Sequence, residues 1–367
     1  MAKKWARQIT KTIILTLTIV VSIGFLFTNL SPYLSPTSYP LMGFAALASP
    51  YFIPLLLLCI FFWLFAKPIF SLIPLVTLLI GYQQINVFFA FQLRASFTEA
   101  KKKNHIRIIN WNIQSFNGLT TNKNSKKLIR NEVSESITKL NGDIVCLQEF
   151  NNSKYTNNIS LFSEKYPYYF FSKDYTKNNG YSSGNIIFSK YPIIHSQKIN
   201  YPKAESLIYV DIVIKNDTIR VYTTHLQSFK FKKDDYDNLE KITGQNEDAV
   251  MASKNIFRKM NPAFKRRAIQ ADMIQKEMLG CPYPSIICGD FNDVPNSYTY
   301  FTIKGNKQDA FLKKDFGIGR TYIALAPTLR IDYILADPQF YIHQFDMVDE
   351  GLSDHIMLVS DLQLKSK

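Results

Sequence analysis

The first 93 residues of this 367-residue chain contain no aspartate and no glutamate. Their only charged side chains are Lys3, Lys4, Arg7, Lys11 and Lys67. So little charge over so long a stretch argues against a pair of buried core helices there. Cysteine is scarce as well: Cys59, Cys146, Cys281 and Cys288, with no CxxC spacing. That excludes zinc-finger and thioredoxin-like readings and leaves buried free thiols as the default. Histidine occurs only five times. Internal repeats and low-complexity tracts are absent.

What fills residues 1–93 is apolar. Three stretches, about 13–30, 41–66 and 69–91, each approach or exceed the roughly 20 residues that cross a bilayer core as a helix. Basic residues precede the first stretch as in a signal peptide, but two further spans follow and no small-residue cleavage site is evident. We therefore expect a retained anchor of three transmembrane helices over residues 1–93. Lys3, Lys4, Arg7 and Lys11 favour a cytoplasmic N-terminus, with Lys67 in a short cytoplasmic turn. The uncharged loop 31–40 and the domain beyond residue 93 then lie outside the cytoplasm of a bacterial-type inner membrane. Arg94 and Lys101-Lys102-Lys103, in a basic linker over residues 94–104, pull the other way.

Of the net charge of +14, the anchor carries +5, leaving +9 for residues 94–367. A surplus of that sign suits an anionic substrate or an anionic membrane surface. A solvated lysine-rich surface explains it equally well. Residues 105–367 read as one catalytic domain with many strands and few long helices. Strands are expected at 106–113, 144–149, 166–172, 184–189, 285–290, 330–336 and 355–364. A hairpin turns at Asn216-Asp217 between 206–215 and 218–226. Helices are expected at 122–140 and about 234–279.

Several of these strands end in polar residues. Glu149 ends one, Asp290 another, and Asn292 follows two residues later on the same face if the strand continues. His225 ends a third, and Asp354-His355 opens the last. Hydrolysing a phosphodiester needs a cation on the phosphate oxygens, an activated water, and donors for developing charge. Glu149 can ligate the cation, and Asp290 can orient or deprotonate the water. Asn292 can donate to phosphate, and His225 and His355 can donate or shuttle protons. Asp332 can fix the tautomer of His355, and Asp354 can bind metal. Oxygen-rich ligands point to Mg²⁺ or Mn²⁺ rather than Zn²⁺. Taken singly, each residue also has a plain structural reading. Glu149 can be a solvated surface acid, Asp290 and Asn292 an Asx turn, and His225 a satisfied core histidine.

Read in order, Trp111-Asn112-Ile113-Gln114, Leu147-Gln148-Glu149, Ser183-Gly184-Asn185-Ile186-Ile187-Phe188-Ser189-Lys190, Thr224-His225-Leu226, Gly289-Asp290-Phe291-Asn292, Arg330-Ile331-Asp332-Tyr333-Ile334 and Ser353-Asp354-His355 resemble the motifs of the endonuclease/exonuclease/phosphatase superfamily. This DNase-I-like group includes apurinic endonucleases, neutral sphingomyelinases and inositol-polyphosphate 5-phosphatases. The resemblance implies an α/β fold, a four-layer sandwich of two mixed β-sheets flanked by helices. It casts Glu149 as the metal-binding glutamate, with Asn112, the amide beside it, in the same metal set, and Asp354 as a second acidic ligand. His225 resembles the phosphate-contacting histidine, and Asp290 with Asn292 the water-activating and phosphate-orienting pair. Asp332 and His355 resemble the coupled Asp–His unit. Gln114 departs from the pattern, standing where some family nucleases carry an acid.

The substrate stays open between classes. An endonuclease-like enzyme is the first reading, with Lys265-Arg266-Arg267 offered as phosphate contacts or, alternatively, as one solvated helix face. A lipid phosphodiesterase or phosphatase, sphingomyelinase-like or phosphoinositide-directed, is the second. A catalytically inactive membrane-tethered binding protein is the third. The partners expected are the membrane and a phosphodiester in nucleic acid or a lipid headgroup, with no protein partner.

Overall fold

The computed structural model describes residues 2–93, 96–119, 126–203, 205–232, 234–235, 237–238, 242 and 249–365. Arg94 and the starts of both expected helices, 122–125 and much of 234–248, lie outside the described residues.

Two long apolar helices open the chain, α1 (Ala2–Thr28) and α2 (Leu41–Ala66). Trp5–Thr28 and Leu41–Ala66 are long and apolar enough to cross a membrane, with mean hydropathy 2.1 and 2.2. They expose large apolar side chains such as Ile23, Leu58, Phe61 and Phe65. Trp63 Nε1 donates to Thr18 Oγ1 at 2.9 Å and ties the two helices together. The expected third span is not one straight helix. A short turn at Pro68–Ser71 leads into α3 (Leu72–Ile80), which bends by 63° at Gly81 into α4 (Tyr82–Phe88). Only together are the two pieces of that bent pair long and apolar enough to cross a membrane. The reason is local: α4 is polar at Gln83, Gln84 and Asn86, and Gln84 is buried against the rest of the protein. The stretch then ends in a strand, β1 (Ala90–Phe91), rather than in a helix.

Two sheets follow. In chain order their strands are β2 (Ile106–Asn112), β3 (Ile144–Asn152), β4 (Tyr168–Phe171), β5 (Tyr175–Thr176), β6 (Ser182–Ser189), β7 (Ile193–Asn200), β8 (Ser206–Ile214), β9 (Asp217–His225), β10 (Ser285–Asp290) and β11 (Gln308–Asp309). After β12 (Phe316–Gly317), which pairs with β1 outside both sheets, come β13 (Asp332–Ala336), β14 (Phe340–Val348) and β15 (Met357–Leu364). One sheet has the order β14-β15-β2-β3-β6-β4, with β5 on β6; the other runs β11-β13-β10-β9-β8-β7. β2 pairs parallel with β3, and β9 with β10; the other pairs in both sheets are antiparallel. Both sheets are therefore mixed.

Strand periodicity explains the layering. Ile106 and Ile108 face the inter-sheet core with Ile144, Cys146, Val221, Ile286 and Cys288. The alternate residues Ile109, Trp111, Val145 and Leu147 face outward, onto Ile129, Val133 and Ile137 of α5 (Lys126–Lys139). On the second sheet Tyr222, Ile287 and Leu335 meet Ala271 and Ile274 of α6 (Ala249–Leu279) and Tyr300 and Ile303 of α7 (Tyr298–Lys304). Helix, sheet, sheet, helix makes four layers. The hairpin forms one residue earlier than expected, with Ile214 opposite Asp217 across Lys215-Asn216. β7 and β14 are sheet edges whose apolar residues are interrupted, by His195-Ser196-Gln197-Lys198 in β7 and by His343, Gln344 and Asp346 in β14, so neither shows a continuous apolar run.

Candidate active site

The inter-sheet face turns polar at one end. Along β2 the inward series Ile106, Ile108 continues as Asn110 and Asn112; along β9, Val221 continues as Thr223 and His225. Along β10, Ile286 and Cys288 lead to Asp290. Gln148 closes the floor, its Nε2 donating to Asn110 Oδ1 in one sheet and Thr223 Oγ1 in the other, both at 2.9 Å. Within the second sheet, β9 and β10 can pair this closely beside His225 and Asp290 because Gly289 has φ 155 and no side chain; a Cβ would lie 2.2 Å from the Thr224 carbonyl oxygen.

Six of the expected residues converge on this end. Asp290 Oδ2 accepts a hydrogen bond from Asn112 Nδ2 at 3.0 Å and lies 3.5 Å from His225 Nε2 and 3.7 Å from His355 Nε2. The other nitrogen of that ring, His355 Nδ1, lies 2.9 Å from Asp332 Oδ2. Glu149 Oε1 lies 3.5 Å from Asn112 Nδ2 and 4.0 Å from His225 Nε2. Its side chain is 37% exposed against 1% for Asp290, so Glu149 is the carboxylate that solvent or substrate reaches.

Alternation alone would not aim Glu149 at this cluster. The β3–β6 register shifts between Leu147 and Phe150, and Glu149 adopts φ 54, a bulge that turns its side chain to the rim. Beside it Gln114, Ser115 and Phe116 run consecutively in the left-handed region. Such a turn persists only where its surroundings fix it. Here buried Phe116, the Asn151 Nδ2 bond to the Ser115 carbonyl and the Gln114 N–H bond to Asn112 Oδ1 do so. Asn112 consequently presents its amide nitrogen, not its oxygen, to the two carboxylates. Gln114 itself keeps Oε1 buried without a partner among the described residues.

Asn292 arrives differently from expectation. β10 ends at Asp290, and Asn292 has φ 52, so the two do not share a strand face. An Asx turn brings it in: its N–H donates to Asp290 Oδ1 at 2.8 Å and its Nδ2 to the Leu226 carbonyl at 2.9 Å. Asp354 flanks the cluster, half-buried, its carboxylate near the Ser353 hydroxyl at 3.4 Å.

Burial pushes Asp290 above the usual carboxylate range, and the Asp332 charge adds to it. Asp354 is raised by burial too. Burial alone would lower both imidazoles. Asp332 and Asp290 nevertheless lift His355 to about 10, and Glu205, Asp290 and Glu149 hold His225 above its ordinary value. Five carboxyl groups surround two histidines, and Asp332 Oδ1 is buried without a hydrogen-bond partner among the described residues. That donor set suits an oxygen-ligated divalent cation. Among the described residues, Asp290, Asp332 and His355 form a group whose ligand atoms lie within 4.8 Å of one another. Asp290 and Asp332 are already engaged by Asn112, Asn292 and His355, whereas Glu149 faces the open rim.

Two neighbours stand outside any motif of the sequence. Glu205, at φ 70 with Oε2 buried and without a hydrogen-bond partner among the described residues, faces His225 electrostatically. Arg267 is 0% exposed. Its Nε lies 3.2 Å from Asp293 Oδ2, its Nη1 donates to the Gln227 carbonyl at 2.9 Å, and Phe229 and Phe264 flank its guanidinium. It joins the loop after His225 to the loop after Asp290. Neither expectation for the Lys265-Arg266-Arg267 run, phosphate contact or solvated face, describes Arg267.

A sandwich of two mixed sheets whose strand ends gather Asp, Glu, Asn and His at one edge is the architecture of phosphoesterases of the DNase-I-like class. The family model described as Endonuclease/Exonuclease/phosphatase family matches residues 109–355, and the chain belongs to that family. A domain of unknown function (DUF8431) matches residues 11–88, over the apolar helices. No curated protein matches the chain. The endonuclease/exonuclease/phosphatase from Beutenbergia cavernae DSM 12333 is 17% identical, with 72% of each chain covered and a TM-score of 0.51. The human Nocturnin catalytic domain with bound sulfate anion is 19% identical over 72% of this chain and 95% of that one, with a TM-score of 0.52. A humanized D. rerio TDP2 with 14 mutations is 17% identical over 71% of this chain and 100% of that one, with a TM-score of 0.50. These likenesses establish the fold.

Proposed function

We propose that this protein is a membrane-anchored, divalent-metal-dependent phosphoesterase that hydrolyses phosphodiester bonds. The observation that carries the proposal is the convergence on Asp290 of Asn112, His225 and the Asp332-oriented His355, beside the exposed Glu149.

In this reading Asp290 takes a proton from water, raised basicity suiting it to the task. The water oxygen bonds to phosphorus as the ester P–O bond opposite breaks. His355, held by Asp332 and with its pKa raised to about 10, is protonated near neutral pH and donates to the phosphate or the leaving oxygen; His225, its proton affinity raised by Glu205, Asp290 and Glu149, is placed to donate beside it. Asn292 fixes the loop beside them and offers its remaining amide hydrogen. A Mg²⁺ or Mn²⁺ ion held by Glu149 and Asp354 would neutralise phosphate charge when bound. As placed, Asn112 serves this site as a donor that orients Asp290 and Glu149.

The helices α1 and α2 and the bent α3–α4 pair form the anchor. Lys11 Nζ donates to the Ala66 carbonyl at 2.9 Å, so Lys11 and Lys67 lie at the end of the helices next to the N-terminus. The uncharged 31–40 loop lies at the other end, and its Ser31 touches the catalytic domain. With the basic end in the cytoplasm, the catalytic domain is extracytoplasmic. Protease cleavage of the domain in spheroplasts, but not in intact cells, tests this; protection in both contradicts it.

For the substrate, the burial of Arg267 removes one support for nucleic acid. Docking of the anchor beside the site favours a phosphodiester headgroup in the same membrane over a duplex. Turnover of sphingomyelin and phosphoinositide vesicles against DNA and RNA, each with and without Mg²⁺, decides between them. Activity confined to nucleic acid, with salt-dependent affinity, would return the endonuclease reading.

A further inference from the structure

The apolar segment does not hang from the catalytic domain by its linker. It touches, through buried or part-buried contacts, a segment next to each of three groups in the site. Ser31, just past the end of α1, donates from Oγ to the Asn296 carbonyl at 2.6 Å. Asn296 Nδ2 in turn lies 3.3 Å from the Gln84 carbonyl and 3.5 Å from Ser49 Oγ of α2. Asn296 sits four residues after Asn292, at the end of the loop that begins at Asp290. The second contact is Arg330, two residues before Asp332, whose Nη2 donates to the Val87 carbonyl of α4 at 2.6 Å. The third is Phe264, one turn before Arg267 on α6. Phe44 of α2 packs edge-on against its ring at 5.0 Å, and Gly43 lies so close that a Cβ would come within 2.3 Å of it.

Chain stability does not explain the polar member of this joint. Asn29 Nδ2 and Oδ1 and Asn296 Oδ1 are buried there without a hydrogen-bond partner among the described residues. Unmet buried polar atoms cost stability, and apolar side chains of similar size would avoid that cost. Buried polar groups of this kind fix one register where apolar packing would tolerate several. The loop held in register here carries Asn292 and Asp293, and Asp293 is the partner of Arg267.

We propose that the anchor is a structural part of the catalytic centre, in which Ser31, Gln84 and Gly43 act as positioning residues for the loops after His225 and Asp290. The anchor thus sets the geometry of the site as well as its location, and a substrate that never touches a membrane is turned over more slowly once the joint is loosened. The activity arm of this inference rests on the phosphoesterase reading; its structural arm does not.

The test uses the full-length protein in detergent with Mg²⁺ and a soluble chromogenic phosphodiester. Ser31→Ala removes one hydroxyl of the anchor, and Gly43→Ala wedges a methyl against Phe264. Each is expected to lower kcat by about 10- to 100-fold, the scale of a small misplacement of catalytic groups, with KM changed by less than about threefold. Hydrogen exchange should rise in residues 226–232 and 291–297 and stay unchanged in β2 and β10. If Gly43→Ala does not fold, Ser31→Ala carries the test. Wild-type kcat and wild-type exchange in these loops in a folded variant would overturn the proposal. A wild-type protein that hydrolyses nothing would sink the functional reading instead, and the exchange measurement would still decide the joint.

Discussion

Replacing Arg267 by methionine separates a structural arginine from a nucleic-acid contact. Arg267 and Asp293 are 0% and 3% exposed and face each other at 3.2 Å. Met keeps the packing between Phe229 and Phe264 but leaves the Asp293 charge buried and unopposed. Breaking such a pair from one side costs about 3–5 kcal/mol. At about 2–4 °C per kcal/mol for a domain of this size, the thermal midpoint of the full-length protein in detergent should fall by about 6–20 °C. Adding Asp293→Asn removes the stranded charge and should recover a substantial part of that loss. Lys265→Met, on the half-buried side of the same run, should move the midpoint by less than about 0.5 kcal/mol in equivalent stability. Differential scanning fluorimetry on the four proteins is sufficient. An unchanged midpoint in Arg267→Met, together with a smaller salt dependence of DNA affinity, would refute this reasoning and restore the arginine as a phosphate contact.

Asp332→Asn should leave the fold intact but lower kcat by about 10²- to 10⁴-fold, because His355 loses the partner that sets its tautomer and charge; kcat within twofold of wild type would remove the coupled pair from the mechanism. Glu149→Gln should raise the Mg²⁺ concentration needed for half-maximal activity by at least about tenfold, read by metal titration, whereas an unchanged requirement would place the ion elsewhere. His355 has its pKa raised from 6.5 to about 10, so its contribution to stability is complete below pH 6.5 and fades as pH rises through about 10. In EDTA the thermal midpoint should therefore decline between those pH values, and His355→Gln should flatten the decline; parallel curves would contradict the assignment.

The strands that carry the candidate site were legible because their polar residues sit at the ends of buried apolar runs. Ile286-Ile287-Cys288 and Val221-Tyr222-Thr223 announce strands, and Asp290 and His225 stand where those strands leave the core. Period-2 alternation could not foresee the bulge that re-aims Glu149, or the Asx turn that carries Asn292, since both depend on tertiary register. Arg267 was misread for a different reason. Phe264, Ala268, Ala271 and Ile274 mark the buried face of α6, and Arg267 belongs to that helical stripe. Its charge, and the two basic residues before it, obscured the periodicity. The bend at Gly81 and the docking of α4 were masked by the apolar length of 69–91, which reads as a straight span although Gln83, Gln84 and Asn86 interrupt it.

Hydrolysis of a soluble phosphodiester by the purified full-length protein tests the central claim most directly, measured with Mg²⁺, with EDTA, and with Asp290→Ala at matched folding. The account predicts turnover with Mg²⁺ that EDTA abolishes and restored Mg²⁺ recovers, and a loss of at least about 10³-fold in Asp290→Ala. Full activity in EDTA, or wild-type activity in a folded Asp290→Ala protein, would contradict it.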